Sequence, residues 1–283
     1  MSDEHPNYDY NPSVAGAVVA VIAFTGLLGL HIWRLWQSRT WFCIPLIIGA
    51  LFEIVGYAAR GACHNRLYAF TPFIIQTVLV LLAPILFAAS VYMFLGRIMR
   101  ATGRSSHSII RPTWLTKIFV TGDVVCFITQ GAGAAIMGNA TAKKTIDLGS
   151  TIILVGLVVQ VLIFGLFLAA GILFHKRMRK GPGSKSTWEW ERYLVLLYAA
   201  SLIITFRNVF RVVEYALGDD GYLLQNEWPI YVFDALPMAA VLIICSLWYV
   251  GNLASGADSQ VDHVMLVPDG HNSCHERIVT CNL

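Results

Sequence analysis

The chain is short of charge. Of its 283 residues only 13% are Asp, Glu, Lys or Arg, 57% are hydrophobic, and the mean hydropathy is +0.63. A soluble domain carries about a quarter of its residues as charges, so that class is excluded. Several chemistries lack their residues. Only His31 falls within an apolar stretch; His64, His107 and His175 fall at loops. An intramembrane zinc hydrolase needs about three His or carboxylate ligands, and no such set is present. No glycine-rich phosphate loop is present, which excludes nucleotide hydrolysis by this chain. The last apolar stretch has no lysine for a retinal Schiff base. Cys43, Cys63, Cys126, Cys245, Cys274 and Cys281 have neither zinc nor redox spacing. Cys43, Cys126 and Cys245 lie in or beside apolar stretches, where a thiol packs as a small hydrophobe. No basic run is long enough, or interleaved enough with aromatics, to suggest nucleic acid. The acidic, polar start MSDEHPNYDYNPS lacks a basic leader region, so the first apolar stretch is expected to stay as a membrane anchor. The expectation is a protein that is not an enzyme and holds no metal or cofactor.

What is abundant is long hydrophobic sequence. Seven stretches, near 14–36, 41–59, 73–95, 115–137, 151–174, 193–217 and 229–250, are long enough to span a bilayer. All should be helices, because an open sheet edge has no backbone partners in lipid. The fold class expected is an all-α, polytopic seven-helix bundle. Residues 1–13 form an extracellular tail, 14–250 the seven-helix domain and 251–283 a polar cytoplasmic tail without order. His271, Cys274, His275 and Cys281 in that tail resemble a metal cluster only in composition.

Lys and Arg set the expected orientation. The first loop has Arg34 and Arg39. The third has Arg97, Arg100, Arg104 and Arg111. The fifth has Lys176, Arg177, Arg179, Lys180, Lys185 and Arg192. The second loop has Arg60 and Arg66, the fourth Lys143 and Lys144, and the sixth none. Odd loops should face the cytoplasm, with the N-terminus outside and the C-terminus inside. The sequon Asn139-Ala140-Thr141 falls on the outer side, too close to the fourth helix for expected use.

An internal frame recurs. Gly16–Phe24 resembles Gly156–Phe164, and Phe52–Ala58 resembles Phe210–Ala216; the third and seventh stretches carry Pro84 and Pro237. The frame is consistent with a parallel duplication of three helices, one linker helix and three helices. It places Glu53 opposite Arg211.

The few ionisable groups inside the spans stand out, since each costs roughly 3 kcal/mol or more at that depth unless paired. Arg207, Arg211 and Glu214 share one face of the sixth helix by their spacing. Asp234 lies about two turns into the seventh. Glu53 and Arg60 share a face of the second with Gly49 and Gly56, small residues that admit a close neighbour. Asp123 lies on the fourth helix, Gln130 two turns on, and Gln160 on the fifth. Two readings stand: buried ion pairs that lock helices, or a polar site inside the bundle. On the second, Glu53, Arg60, Arg207, Arg211, Glu214 and Asp234 hold a polar head group, and Asp123, Gln130 and Gln160 extend a path across the bundle. Glu53 is expected to pair with an arginine of the sixth helix, foremost Arg211.

Four blocks carry a resemblance. They are Phe52–Arg60 (FEIVGYAAR), Leu82–Tyr92 (LAPILFAASVY), Ile118–Gln130 (IFVTGDVVCFITQ) and Arg207–Glu214 (RNVFRVVE). In this order they resemble the fungal lipid-translocating exporter family, whose founding type is named for resistance to aminocholesterol. The resemblance covers roughly residues 10–252. It implies a seven-helix fungal protein of the plasma membrane, linked to release of sphingoid long-chain bases, resistance to toxic amphiphiles and, in one branch, porphyrin traffic. It also implies that Glu53, Arg60, Asp123, Gln130, Arg207, Arg211, Glu214 and Asp234 occupy family positions. The partners expected are membrane lipids or amphiphilic small molecules, with no nucleic acid and no nucleotide. The function expected is export of such amphiphiles; the alternative is a seven-helix sensor whose charged cluster is a structural lock.

Overall fold

The computed structural model describes residues 12–64, 70–101, 112–138, 143–180, 190–217 and 226–248. These form seven helices long and apolar enough to cross a membrane, and the described residues contain no strand. They are α1 (Val14–Ser38), α2 (Ile44–Ala62), α3 (Phe70–Ala101), α4 (Pro112–Gly138), α5 (Lys143–Lys180), α6 (Trp190–Leu217) and α7 (Trp228–Ser246). The chain is an integral membrane protein of the expected class. The N-tail before residue 12, the sequon, the turn at 218–221 and the tail from 249 lie outside the described residues.

Helix ends follow local chemistry. Ser13 caps α1, its Oγ accepting from the Gly16 N–H at 3.3 Å. Arg39 ends the helix in the left-handed region (φ 52°) and returns its N–H to the Leu35 carbonyl at 2.8 Å. A 3₁₀ turn, Trp41–Cys43, then leads into α2, which has Pro45 in its first turn. The helices overrun the hydrophobic stretches. α5 takes in Lys143 and Lys144 at one end and Lys176, Arg177, Arg179 and Lys180 at the other. Its 38 residues reach about 57 Å, against a hydrocarbon core of about 30 Å. Lys and Arg are good helix formers, so the helix runs on past the apolar stretch as far as Lys180. The fifth loop is therefore shorter than the sequence alone suggests.

Helix α3 is the hub. Its spanning window is 67% buried by protein, against 22% for α1 at the rim. α2 lies against α3 through Gly49 and Gly56. A Cβ on Gly49 would stand 2.6 Å from the Phe87 ring, and one on Gly56 2.8 Å from the Val80 side chain. The contact is a small-residue approach, as the spacing of those glycines suggests. α4 and α5 are seamed the same way: a Cβ on Gly133 would lie 2.8 Å from the Gly149 carbonyl oxygen, and one on Gly149 2.7 Å from that of Gly133. Around α3 the core is aromatic. Phe94 stacks on Trp248 at 4.1 Å, and Tyr92 meets the edge of Phe167 at 4.5 Å.

α7 departs from a regular helix. Tyr231–Ala235 is a π-helical turn, with the Leu236 N–H returning to the Tyr231 carbonyl. Pro237 follows directly and has no N–H for a regular bond to Phe233. A wide turn before a proline relieves that missing rung. It carries Asp234.

Candidate functional site: a buried ionic node

Asp234 is fully buried and collects two guanidinium groups. Arg207 Nε donates to Oδ1 at 2.5 Å, and Arg211 Nη2 donates to Oδ2 at 2.7 Å. Arg211 Nη1 also donates to Glu214 Oε2 at 2.8 Å, one turn along α6. The Tyr57 hydroxyl approaches Asp234 Oδ2 at 3.4 Å from α2. Charge-assisted bonds of this kind are among the strong ones, and in a dry site removing one partner is far costlier than in water.

Arg207 has a further partner. Its Nη2 donates to the Val80 carbonyl oxygen at 3.0 Å. Val80 stands four residues before Pro84, the proline inside α3. In an unbroken helix the residue at 84 would donate to that oxygen; proline cannot. The guanidinium therefore fills a rung that Pro84 removes, and α3, α6 and α7 meet through this one side chain.

Glu53 lies at the same node, fully buried and within the field of Asp234, Arg207 and Arg211. The expected pairing does not form. Arg211 is committed to Asp234 and Glu214, and both Glu53 carboxyl oxygens lack a hydrogen-bond partner. Arg211 Nε is likewise buried without an acceptor. The matched depths of α2 and α6 bring the two residues into one region, but the carboxylate of α7 wins the arginines. With Arg207 and Arg211 against Asp234, Glu214 and Glu53, the node holds one carboxyl more than it has cations.

Arg60 forms a neighbouring node. It meets Glu227, just before α7, at 3.3 Å, and lies 5.7 Å from the Tyr231 ring centre. The Glu227 carboxylate also accepts the Ser13 N–H at 2.9 Å and the Tyr231 hydroxyl at 3.0 Å. Tyr57 and Tyr231 stack at 6.0 Å and join the two nodes. Sequence reasoning missed Glu227, Tyr57 and Tyr231. Tyr57 had a signal: it lies between Glu53 and Arg60 at i, i+4 and i+7 on one face.

The remaining candidates sit elsewhere. Asp123 Oδ2 accepts from the Tyr92 hydroxyl at 2.8 Å, and its other oxygen is buried without a partner. Gln130 Nε2 donates to Gln160 Oε1 at 2.9 Å across the α4–α5 seam. No hydrogen bond among the described residues runs directly from either pair to the arginine node.

Residues 46–257 match the family model described as RTA1 like protein. Protein RTM1 of Saccharomyces cerevisiae is 38% identical over 217 residues, 74% of this chain and 68% of that one. Protoporphyrin uptake protein 1 of the same yeast is 38% identical over 208 residues, 72% of this chain and 67% of that one. Sphingoid long-chain base transporter RSB1 is 22% identical over 287 residues, 88% of this chain and 75% of that one. No solved structure matches the chain.

Proposed function

We propose that this chain, which belongs to the RTA1-like family of membrane proteins, moves an amphiphile across or out of a bilayer, its cargo a sphingoid-type long-chain base or a lipid-like toxic compound. The observation that carries this reading is Glu53. A node whose work is only to fasten helices would pair each carboxyl, because an unpaired one is costly in a dry site. This node leaves Glu53 open, and one nitrogen of Arg211, in the same node, is open too. A head group bearing both an ammonium and a hydroxyl would satisfy both: the ammonium on Glu53, the hydroxyl oxygen on Arg211 Nε. The names of RSB1 and of the protoporphyrin uptake protein support amphiphilic cargo without choosing between the two.

In this reading Arg60, Arg207, Arg211, Glu214 and Asp234 shape the region that receives the head group, with Tyr57 and Glu227. Asp123, with one oxygen open, continues the path; Gln130 and Gln160 border it while fastening α4 to α5. The N-terminus faces outside, the C-terminus faces the cytoplasm, and the membrane is the plasma membrane. A cysteine placed at Ser184 should be shielded from an impermeant thiol reagent in intact cells; labelling there would reverse this map.

The test is reconstitution into liposomes with fluorescent amphiphiles bearing an amine, a phosphate or a neutral head. Wild-type protein should move the amine-bearing probe, and Glu53→Gln should stop it while inserting normally. A second reading, a sensor locked by its ion pairs, is favoured by the closed Arg207–Asp234–Arg211–Glu214 chain. Binding of a probe without its transport would select it.

A further inference from the structure

A groove separate from the ionic node opens between α2, α3 and α4, with a volume of about 450 Å³. Its walls are apolar: Pro45 at the start of α2, Ala89 and Met93 on α3, and Val120 on α4. Thr116, Thr121 and Lys117 of α4 add the polar groups. Lys117 is exposed, its ammonium 5.9 Å from the Trp114 ring centre, and it has no carboxylate partner among the described residues.

The positive charge does not stop at Lys117. Ala89, Met93 and Arg97 are spaced four apart, so the α3 wall ends at Arg97. The Arg97 guanidinium lies 4.5 Å from the ring centre of Phe42, just before α2, and has no acidic partner among the described residues. Arg100, one turn on, is close enough to repel it. The end of α3 and the start of α4 thus put three cations, Arg97, Arg100 and Lys117, toward one end of an apolar slot, with Lys117 in its lining. None of the three forms a salt bridge among the described residues. Trp114, half exposed at the same end, is the residue type that marks a membrane–water interface.

We propose that this groove is a binding site for an anionic glycerophospholipid of the surrounding bilayer. The phosphate is held at Lys117, with Arg97 adding charge from the end of α3, the Thr121 hydroxyl bonds an ester oxygen, and one acyl chain lies along Ala89, Met93 and Val120. An anionic head group supplies the charge that these cations lack, and a chain fills a slot with no other apolar cover. The site is independent of Glu53 and of the cargo proposed above. The orientation proposed there would put its mouth in the cytoplasmic leaflet, where anionic lipid raises the local negative potential.

The experiment is native mass spectrometry of the full chain in detergent, titrated with phosphatidic acid or with phosphatidylcholine of the same chains. Wild-type protein should retain phosphatidic acid at least about fivefold better, the preference that one well-placed cation gives. Lys117→Gln should reduce that preference by about the same factor, and Lys117→Arg should keep it. Lys117 is exposed, so its replacement leaves the fold intact. Val120→Trp, which fills the slot, should reduce retention of both lipids, and normal thermal melting would show that the bundle survives. Equal retention of the two lipids by wild type would overturn the proposal, as would a Lys117→Gln preference that matches wild type. Full displacement of phosphatidic acid by millimolar inorganic phosphate would overturn the lipid assignment in favour of a free-phosphate site.

Discussion

The α4–α5 seam and the node joining α2, α3, α6 and α7 bury polar groups equally well and finish them differently. Gln130 and Gln160 are neutral, bond each other and lean on glycine contacts. At the node two arginines bond two carboxylates, the Glu53 carboxyl stays without a partner, and a proline-freed carbonyl is drawn in. The seam closes on itself. The node does not: Asp234 gathers two arginines while both oxygens of Glu53 stay without a hydrogen-bond partner.

The largest effect should come from the shared acceptor. Asp234→Ala takes the shared carboxylate from two buried arginines, leaving Arg207 with no carboxylate and Arg211 with Glu214 alone, and breaking a buried pair costs about 3–5 kcal/mol. Size-exclusion profiles should show loss of the folded species. A variant that melts with wild type would mean that the node does not support the bundle.

Next in size is the link between Arg207 and α3. Arg207→Leu should be strongly destabilising, since it exposes both Asp234 and the Val80 carbonyl. Pro84→Ala restores an N–H for that carbonyl, so it should be less harmful, or helpful, in the Arg207→Leu background. The cycle of thermal melts should show a coupling of about 1 kcal/mol. Strict additivity would break the claim that the guanidinium replaces a helix rung.

Smaller still is the seam. Gln160→Leu should cost about 0.6 kcal/mol, the usual size of a hydrogen bond between membrane helices, and leave transport unchanged. A transport defect at full abundance would move the seam into the path. The smallest effect on the fold should be that of Glu53→Gln, which gives up no hydrogen bond and is expected to change stability by less than about 0.5 kcal/mol. A large loss of stability there would show that Glu53 is a support after all and sharpen the case for a lock.

These contrasts also mark what was legible beforehand. Seven helices and the close contact at Gly49 and Gly56 follow from hydropathy and spacing. Position along each helix told which residues could meet. It did not tell which would, because rotation about each helix axis and the choice between two acids depend on packing. The internal frame put Glu53 opposite Arg211, yet Asp234 takes the guanidinium from a π-helical turn that spacing rules for a regular helix do not anticipate. Glu227 escaped notice because it lies ahead of an apolar stretch and looks like loop sequence. Pro84 was visible as a broken rung; its repair, coming from a residue 123 positions later in the chain, was not.

That repair has a historical consequence. A proline inside a crowded span is tolerated when something else already holds the carbonyl it frees, and an arginine is tolerated there when acceptors already wait for it. Pro84 and Arg207 are each part of the other's licence to exist. Descent should then treat them as one character. A lineage that gives up the arginine should be found to have given up the proline as well, and a designer moving this node to another scaffold must carry both or neither.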